Sequence, residues 1–318
     1  MYLFLERDSA YYSFDPTTGV LISKNIGSTR LKLSYVDSDK NITFVSFVNV
    51  NVTSPINEYN KEVVKFCSQE DFPTLKYFGP DARIEKAYQN GKELTVKRGK
   101  LIEGIVAKGK NTSAITVVTN KGSYIFTNLF VYDQILTKEN IYPSLLLTDG
   151  VINDKYYILE DDIVDADMTG QTISAYSDGA LTNKYFAGTL DGQGHTLSVK
   201  VGLNGLFGGF GDGATVMNTH LHFDFSAADG ISNCCGLARN VAVYIKQFKV
   251  KLDNLYITAS NYNYHCYTLY DMKMNNTEIS DVYVDLTGSG IENLDKYDSA
   301  TVAADKGIAC LYRLDSGL

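Results

Sequence analysis

Apolar and polar positions alternate along much of the first half of the chain, the signature of strands with one buried face. Thr29-Arg-Leu-Lys-Leu-Ser-Tyr keeps the alternation strictly, and Thr43-Phe-Val-Ser-Phe-Val-Asn-Val-Asn-Val keeps it with some slippage. Further on, Arg83-Ile-Glu-Lys-Ala-Tyr runs through Gln89-Asn-Gly-Lys into Glu93-Leu-Thr-Val-Lys. Ala114-Ile-Thr-Val-Val-Thr runs through Asn120-Lys-Gly into Ser123-Tyr-Ile-Phe-Thr. Asn-Gly between alternating runs predicts a tight hairpin turn, because both turn positions need positive φ. Thr137-Lys-Glu-Asn-Ile-Tyr offers a capping Thr and predicts one short helix, which Pro143 limits.

The second half repeats itself. Gly205-Leu-Phe, Gly236-Leu-Ala and Gly307-Ile-Ala recur, with Tyr267-Thr-Leu in the vacant slot, at intervals of 31, 31 and 40 residues. A second segment follows each of the first three: Val216-Met-Asn-Thr-His-Leu-His-Phe, Leu252-Asp-Asn-Leu-Tyr-Ile-Thr-Ala and Ile279-Ser-Asp-Val-Tyr-Val-Asp-Leu. Recurrence at such periods means stacked coils or propeller blades. Aligned, the segments give apolar columns Thr219/Leu255/Val282, Leu221/Ile257/Val284 and Phe223/Ala259/Leu286. Asn218, Asn254 and Asp281 line up where the alternation breaks phase. Asn tolerates the left-handed conformation, and its side chain can bond the equivalent residue one coil away. That arrangement suits a sharp corner of a parallel β-helix, and a propeller blade would be longer.

The motifs also carry a family resemblance. Asp15-Pro-Thr-Thr-Gly-Val followed by Ile26-Gly-Ser-Thr-Arg-Leu-Lys-Leu resembles the C-terminal half of a bacterial immunoglobulin-like domain. Phe186-Ala-Gly-Thr-Leu-Asp-Gly-Gln-Gly-His-Thr-Leu, after Tyr156-Tyr-Ile-Leu-Glu-Asp-Asp-Ile and before Gly205-Leu-Phe-Gly, resembles the right-handed β-helix of large bacterial surface or secreted proteins with Gly-Leu repeats. The resemblance implies an all-β chain in which small immunoglobulin-like and β-sandwich modules precede a right-handed parallel β-helix. The expected divisions are a partial immunoglobulin-like domain at 1–54, a small β-sandwich at 55–135, a linker with the short helix at 136–150, and the β-helix at 151–318. It also implies an extracellular or cell-surface location in a longer parent protein. The Met1-Tyr-Leu-Phe-Leu-Glu-Arg-Asp start lacks a basic region and cleavage site, so no signal peptide is expected there.

Composition agrees with stacked strands and tight turns: Tyr 23, Gly 26, Pro 5, Trp 0. A net charge of -8 argues against a nucleic-acid partner. The chain contains no apolar run long enough to insert in a membrane as a helix. Cys67, Cys234, Cys235, Cys266 and Cys310 lack zinc-ligand spacing and read as buried thiols, with Cys235 and Cys266 in one column.

Candidate chemistry sits in the second half. Asp161, Asp162, Asp165 and Asp167 are hard oxygen ligands at short spacing that could hold Ca²⁺, although no EF-hand loop surrounds them and the simpler expectation is no cofactor. Asp191 and His195 in Leu190-Asp-Gly-Gln-Gly-His would supply an acid and a base, yet the needs of a tight turn account for the same residues. His220, Tyr256 and Tyr283 share one outward position on successive coils, beside His222, Thr258 and Asp285. Such an aromatic row can bind a sugar chain or simply stiffen the coils. No P-loop, dinucleotide fingerprint, nucleophile elbow or zincin motif occurs. The expected function is therefore non-enzymatic binding or adhesion at a surface, with a polysaccharide or host-cell glycan as partner. A β-helix polysaccharide lyase or glycosidase and a phage fibre are the alternatives.

Overall fold

The computed structural model describes residues 2–5, 12–15, 20–23, 27–37, 39–40, 42–52, 56–110, 113–172, 176–177, 180–181, 184–228, 234–241, 249–262, 266–269 and 277–289. Helix among them is limited to Thr74–Phe78, Ile141–Leu145 and a short 3-10 turn, so the chain is all-β. It divides into two compact units: residues 1–64, 71–106 and 111–129, and residues 65–70, 107–110 and 130–318.

In the first unit, Gly27–Asp37 and Ile42–Val52 form a long antiparallel hairpin, with Tyr2–Leu5 on its outer side. Every residue from 43 to 49 is exposed, and no second sheet covers this stretch among the described residues. A six-stranded sheet follows, in the order Leu101–Glu103, Lys92–Lys97, Ile84–Gln89, Ile115–Thr119, Gly122–Phe126, Ile56–Tyr59. The Asn-Gly hairpin forms as expected: Asn90 and Gly91 take φ 52 and 76, and Gln89 pairs with Lys92. Phe126 anchors an aromatic core, with ring centroids 5.3 Å from Phe72, 5.2 Å from Tyr77 and 5.3 Å from Tyr59.

The stretch expected to be one sandwich is shared between the two units. Val64–Cys67, Gly109–Lys110 and Leu129–Tyr132 form a separate three-stranded sheet. Its Cys67, Phe130 and Tyr132 pack with Tyr156 and Ile158 of the second unit's own core. The short helix also differs from expectation. It covers Ile141–Leu145 and contains Pro143, which is tolerated because a first-turn residue has no intrahelical N–H bond to lose.

The second unit is built on a curled parallel sheet. Its main strands are β1 (Tyr156–Ile158), β2 (Ile163–Met168), β3 (Thr189–Asp191), β4 (Thr196–Val201), β5 (Thr215–Asp224), β6 (Val250–Ser260) and β7 (Thr277–Asp285). β1 pairs with β3 and β2 with β4, and then β3 and β4 both pair with the two halves of β5, all in parallel. β6 and β7 continue the stack. A second parallel row joins Ile152–Asn153, Tyr185–Phe186, Gly209–Phe210 and Asn240–Val241.

Alternation sets the interior. One inward column runs Ile163, Leu197, Leu221, Ile257, Val284 through the pairing register. Leu197, Leu221 and Ile257 are fully buried. A second column runs Tyr157, Leu190, Val216, Leu252, also inaccessible to solvent. The repeated Gly-Leu elements hydrogen-bond in sequence, Leu206 N–H to Gly236 carbonyl at 2.8 Å and Leu237 N–H to Thr268 carbonyl at 3.2 Å. A Cβ at Gly236 would stand 2.6 Å from the Thr268 carbonyl oxygen, so the close approach of the two backbone segments needs glycine there. Gly307 lies outside the described residues. The cysteine column is shifted by one from expectation: Cys234 pairs with Cys266, and Cys235 with Tyr267.

Candidate functional site

The corner explains how outward side chains come into line. Asn218, Asn254 and Asp281 hold φ 54, 50 and 52 at equivalent places in β5, β6 and β7. Each left-handed residue adds one position that does not alternate. In β5, Met217 and Asn218 are therefore both half-buried before strict alternation resumes at Thr219. On the preceding strands the turn between β3 and β4 takes the same place. The amides form a ladder across neighbouring strands: Asn254 Nδ2 donates to Asn218 Oδ1 at 3.0 Å, and Asn218 Nδ2 donates to Asp191 Oδ1 at 3.0 Å.

Two residues beyond each corner stands the aromatic row. Thr196, His220, Tyr256 and Tyr283 are in register. The His220 and Tyr256 ring centroids are 4.7 Å apart, and those of Tyr256 and Tyr283 are 5.6 Å apart at an interplanar angle of 16°. That separation of near-parallel rings is an offset stack, which leaves part of each face uncovered. Tyr256 is 38% and Tyr283 64% exposed. Asp162 extends the row by one strand, accepting the Thr196 N–H at 2.8 Å and lying 3.3 Å from His195 Nδ1.

A second row, Ser198, His222, Thr258 and Asp285, runs alongside. Thr258 Oγ1 lies 2.9 Å from both His220 Nε2 and His222 Nδ1. The Tyr256 hydroxyl donates to Asp285 Oδ2 at 3.1 Å. This bond and burial raise the tyrosine pKa above its ordinary value. The Thr287 backbone N–H, the Thr287 hydroxyl and Tyr256 hold the Asp285 carboxyl below its own. Burial lowers the His220 pKa and the neighbouring His222 lowers it further, while Asp162 opposes them. A third row aligns Asp167, Lys200, Asp224 and Ser260. Sequence reasoning found the core of the first row, named Asp162 only as a calcium candidate, and missed the third row. The run Thr196-Leu-Ser-Val matches His220-Leu-His-Phe in alternation, and that signal was available.

Compared with family models, with curated proteins and with solved structures, the chain matches none of them.

Asp191 lies at the foot of the amide ladder and is 3% exposed. Its Oδ2 accepts the Tyr156 hydroxyl at 3.0 Å, and its Oδ1 accepts the Gln193 N–H at 3.1 Å as well as the Asn218 amide. Burial and the adjacent Asp191 push the Tyr156 phenol far above its usual pKa. His195 faces Asp162. The contacts that Asp191 makes are those of a turn anchor.

Three of the four acids at 161–167 take up separate tasks. Asp162 caps Thr196, Asp165 has a left-handed φ of 53 and approaches Ser198 at 3.5 Å, and Asp167 accepts the Thr169 N–H at 2.9 Å. Among the described residues no group of three or more His, Cys, Asp or Glu is placed to hold a metal ion.

One polar cluster was not foreseen. Asp133, 4% exposed, accepts Lys108 Nζ at 2.7 Å, the Tyr156 N–H at 2.8 Å and the Ser68 hydroxyl. Burial alone would raise its pKa, but the bonds from Lys108, Ser68 and Tyr156 outweigh it and hold the carboxyl below the usual range. These bonds engage both carboxylate oxygens, the arrangement of a structural clasp.

Proposed function

We propose that the second unit is a right-handed parallel β-helix of a bacterial surface-type protein and that it binds glycans without catalysis. The immunoglobulin-like resemblance of the first 54 residues belongs to the same reading, in which this part acts as a spacer. The observation that carries it is the row His220, Tyr256, Tyr283, exposed at its two tyrosines, with ring spacings of 4.7 and 5.6 Å and polar neighbours on one side. Aromatic side chains supply apolar contact at small cost in conformational freedom, and Tyr adds a hydroxyl for hydrogen bonding. Parallel strands repeat about every 4.8 Å, so a polymer lying along the coil axis meets a ring on each of three successive strands and gains avidity from weak units.

A glycan-array screen tests the reading, comparing the wild type with the triple change His220→Ala/Tyr256→Ala/Tyr283→Ala. Binding to at least one polysaccharide class, lost in the triple variant, is expected. Binding that is absent, or that survives the change, refutes it.

A further inference from the structure

We infer that the ligand of the aromatic row is a polysaccharide bearing free amino groups, an inference that rests on the glycan-binding reading above. The charge around the rings selects it. Tyr283, the most exposed ring of the row at 64%, lies two residues from Asp281 and two from Asp285 on the same strand. Asp162 stands at the other end of the row with its side chain 59% exposed, and Asp165 is exposed beside it. Histidines aside, Lys200 is the one cationic side chain among the described residues of the three rows. It is in register between Asp167 and Asp224, so those two carboxylates already balance its charge.

A sugar chain approaching this face therefore meets aromatic rings and unbalanced negative charge. Uronate or sulfate groups would be repelled at both ends of the row, by Asp162 and Asp165 at one and by Asp281 and Asp285 at the other. An ammonium is attracted twice, by the ring quadrupole of tyrosine and by the carboxylates beside it. The ring contact also separates this from diffuse attraction to an acidic chain: the tyrosine face must be present where the charge is.

Titration calorimetry with three probes at physiological salt tests the inference: an oligoglucosamine with free amines, its fully N-acetylated counterpart, and an oligogalacturonate. The free-amine oligomer is expected to bind most tightly and the oligogalacturonate not at all. Tyr283→Ala and Asp285→Asn should each weaken the free-amine oligomer by about three- to tenfold. Tyr283→Phe should preserve binding, and melting curves that coincide with wild type show that each variant is folded. If the N-acetylated oligomer binds as tightly as the free amine and both depend on Tyr283, the charge inference fails while the glycan reading stands. If no oligosaccharide binds, both fail. Free-amine binding indifferent to Tyr283→Ala and Asp285→Asn is diffuse attraction to a chain of net charge -8, and overturns the site.

Discussion

Replacing Asn218 separates what the corner owes to backbone conformation from what it owes to the amide ladder. Its side chain makes two bonds, to Asp191 and from Asn254, each 3.0 Å long, and its φ is 54. Asn218→Gly removes both bonds and keeps the backbone comfortable. At about 0.5–1.5 kcal/mol net per bond, the expected loss is about 1–3 kcal/mol. Asn218→Ala removes the same bonds and adds a left-handed penalty of about 1–2 kcal/mol. The extra unfolded-state freedom of glycine offsets about 0.4–1 kcal/mol of that difference. Alanine should therefore be less stable than glycine by about 1 kcal/mol. Asn218→Asp sets a second carboxylate against Asp191, whose own exposure is only 3%. That variant should be the weakest of the three at neutral pH and should recover as acid neutralises the pair. Urea unfolding followed by circular dichroism gives the three midpoints and slopes. A glycine variant as stable as wild type would remove the ladder from the account. Alanine and glycine variants of equal stability would remove the backbone strain.

Other consequences are equally direct. Asp281 occupies the next rung above Asn254 but, as a carboxylate, cannot donate to it. Asp281→Asn should extend the ladder and raise the urea midpoint, by about 0.5–1 kcal/mol. Leu221→Ala, in the fully buried column, should cost about 2–5 kcal/mol, whereas Tyr283→Ala, 64% exposed, should stay within about 0.5 kcal/mol of wild type. The Asp133 pKa is lowered on folding, so its clasp stabilises above the unfolded carboxyl pKa and the contribution drains away as pH falls toward the folded value. Asp133→Asn should accordingly lose about 1–3 kcal/mol at neutral pH and show a flatter decline below pH ~4; an unchanged acid slope would refute this. NMR titration should place His220 below the usual histidine pKa. His222→Ala should raise it and Asp162→Asn should lower it further, because the two neighbours act in opposite directions.

How much was legible follows from what repeats. Within one strand, alternation is a local property, and it located Gly27–Asp37, Ile42–Val52 and both hairpins. Between repeats the same alternation recurs with an Asn or Asp at its phase break, which makes the columns 218/254/281, 219/255/282 and 220/256/283 readable from the sequence. The partners of the three strands Val64–Cys67, Gly109–Lys110 and Leu129–Tyr132 were not legible. They are short, and what decides their place is burial of Phe130, Tyr132 and Cys67 against Tyr156 and Ile158, which no local pattern encodes. The Asp133 clasp was missed for the same reason: its donors Ser68, Lys108 and Tyr156 are far apart in sequence. The cysteine column slipped by one because a two-residue strand such as Cys234–Cys235 carries too little alternation to fix its own register.

The corner and the candidate binding row are a single device. Each aromatic or histidine stands two positions after a left-handed residue: His220 after Asn218, Tyr256 after Asn254, Tyr283 after Asp281. The left-handed residue absorbs one position of the alternation, and only then does the next strand segment send Thr219, Leu255 and Val282 inward and the rings outward. A one-residue slip at any corner would invert that segment, burying a ring and exposing an apolar column member. The short corner-to-ring distance leaves no slack for such a slip, and the amide bonds lock the corners at Asn218 and Asn254 to each other and to Asp191. Ring spacing is thus set by the sheet and not by contacts among the rings. Deleting one ring should leave the others in place and lower affinity in steps, whereas breaking the ladder at Asn218 should disturb stability and binding together.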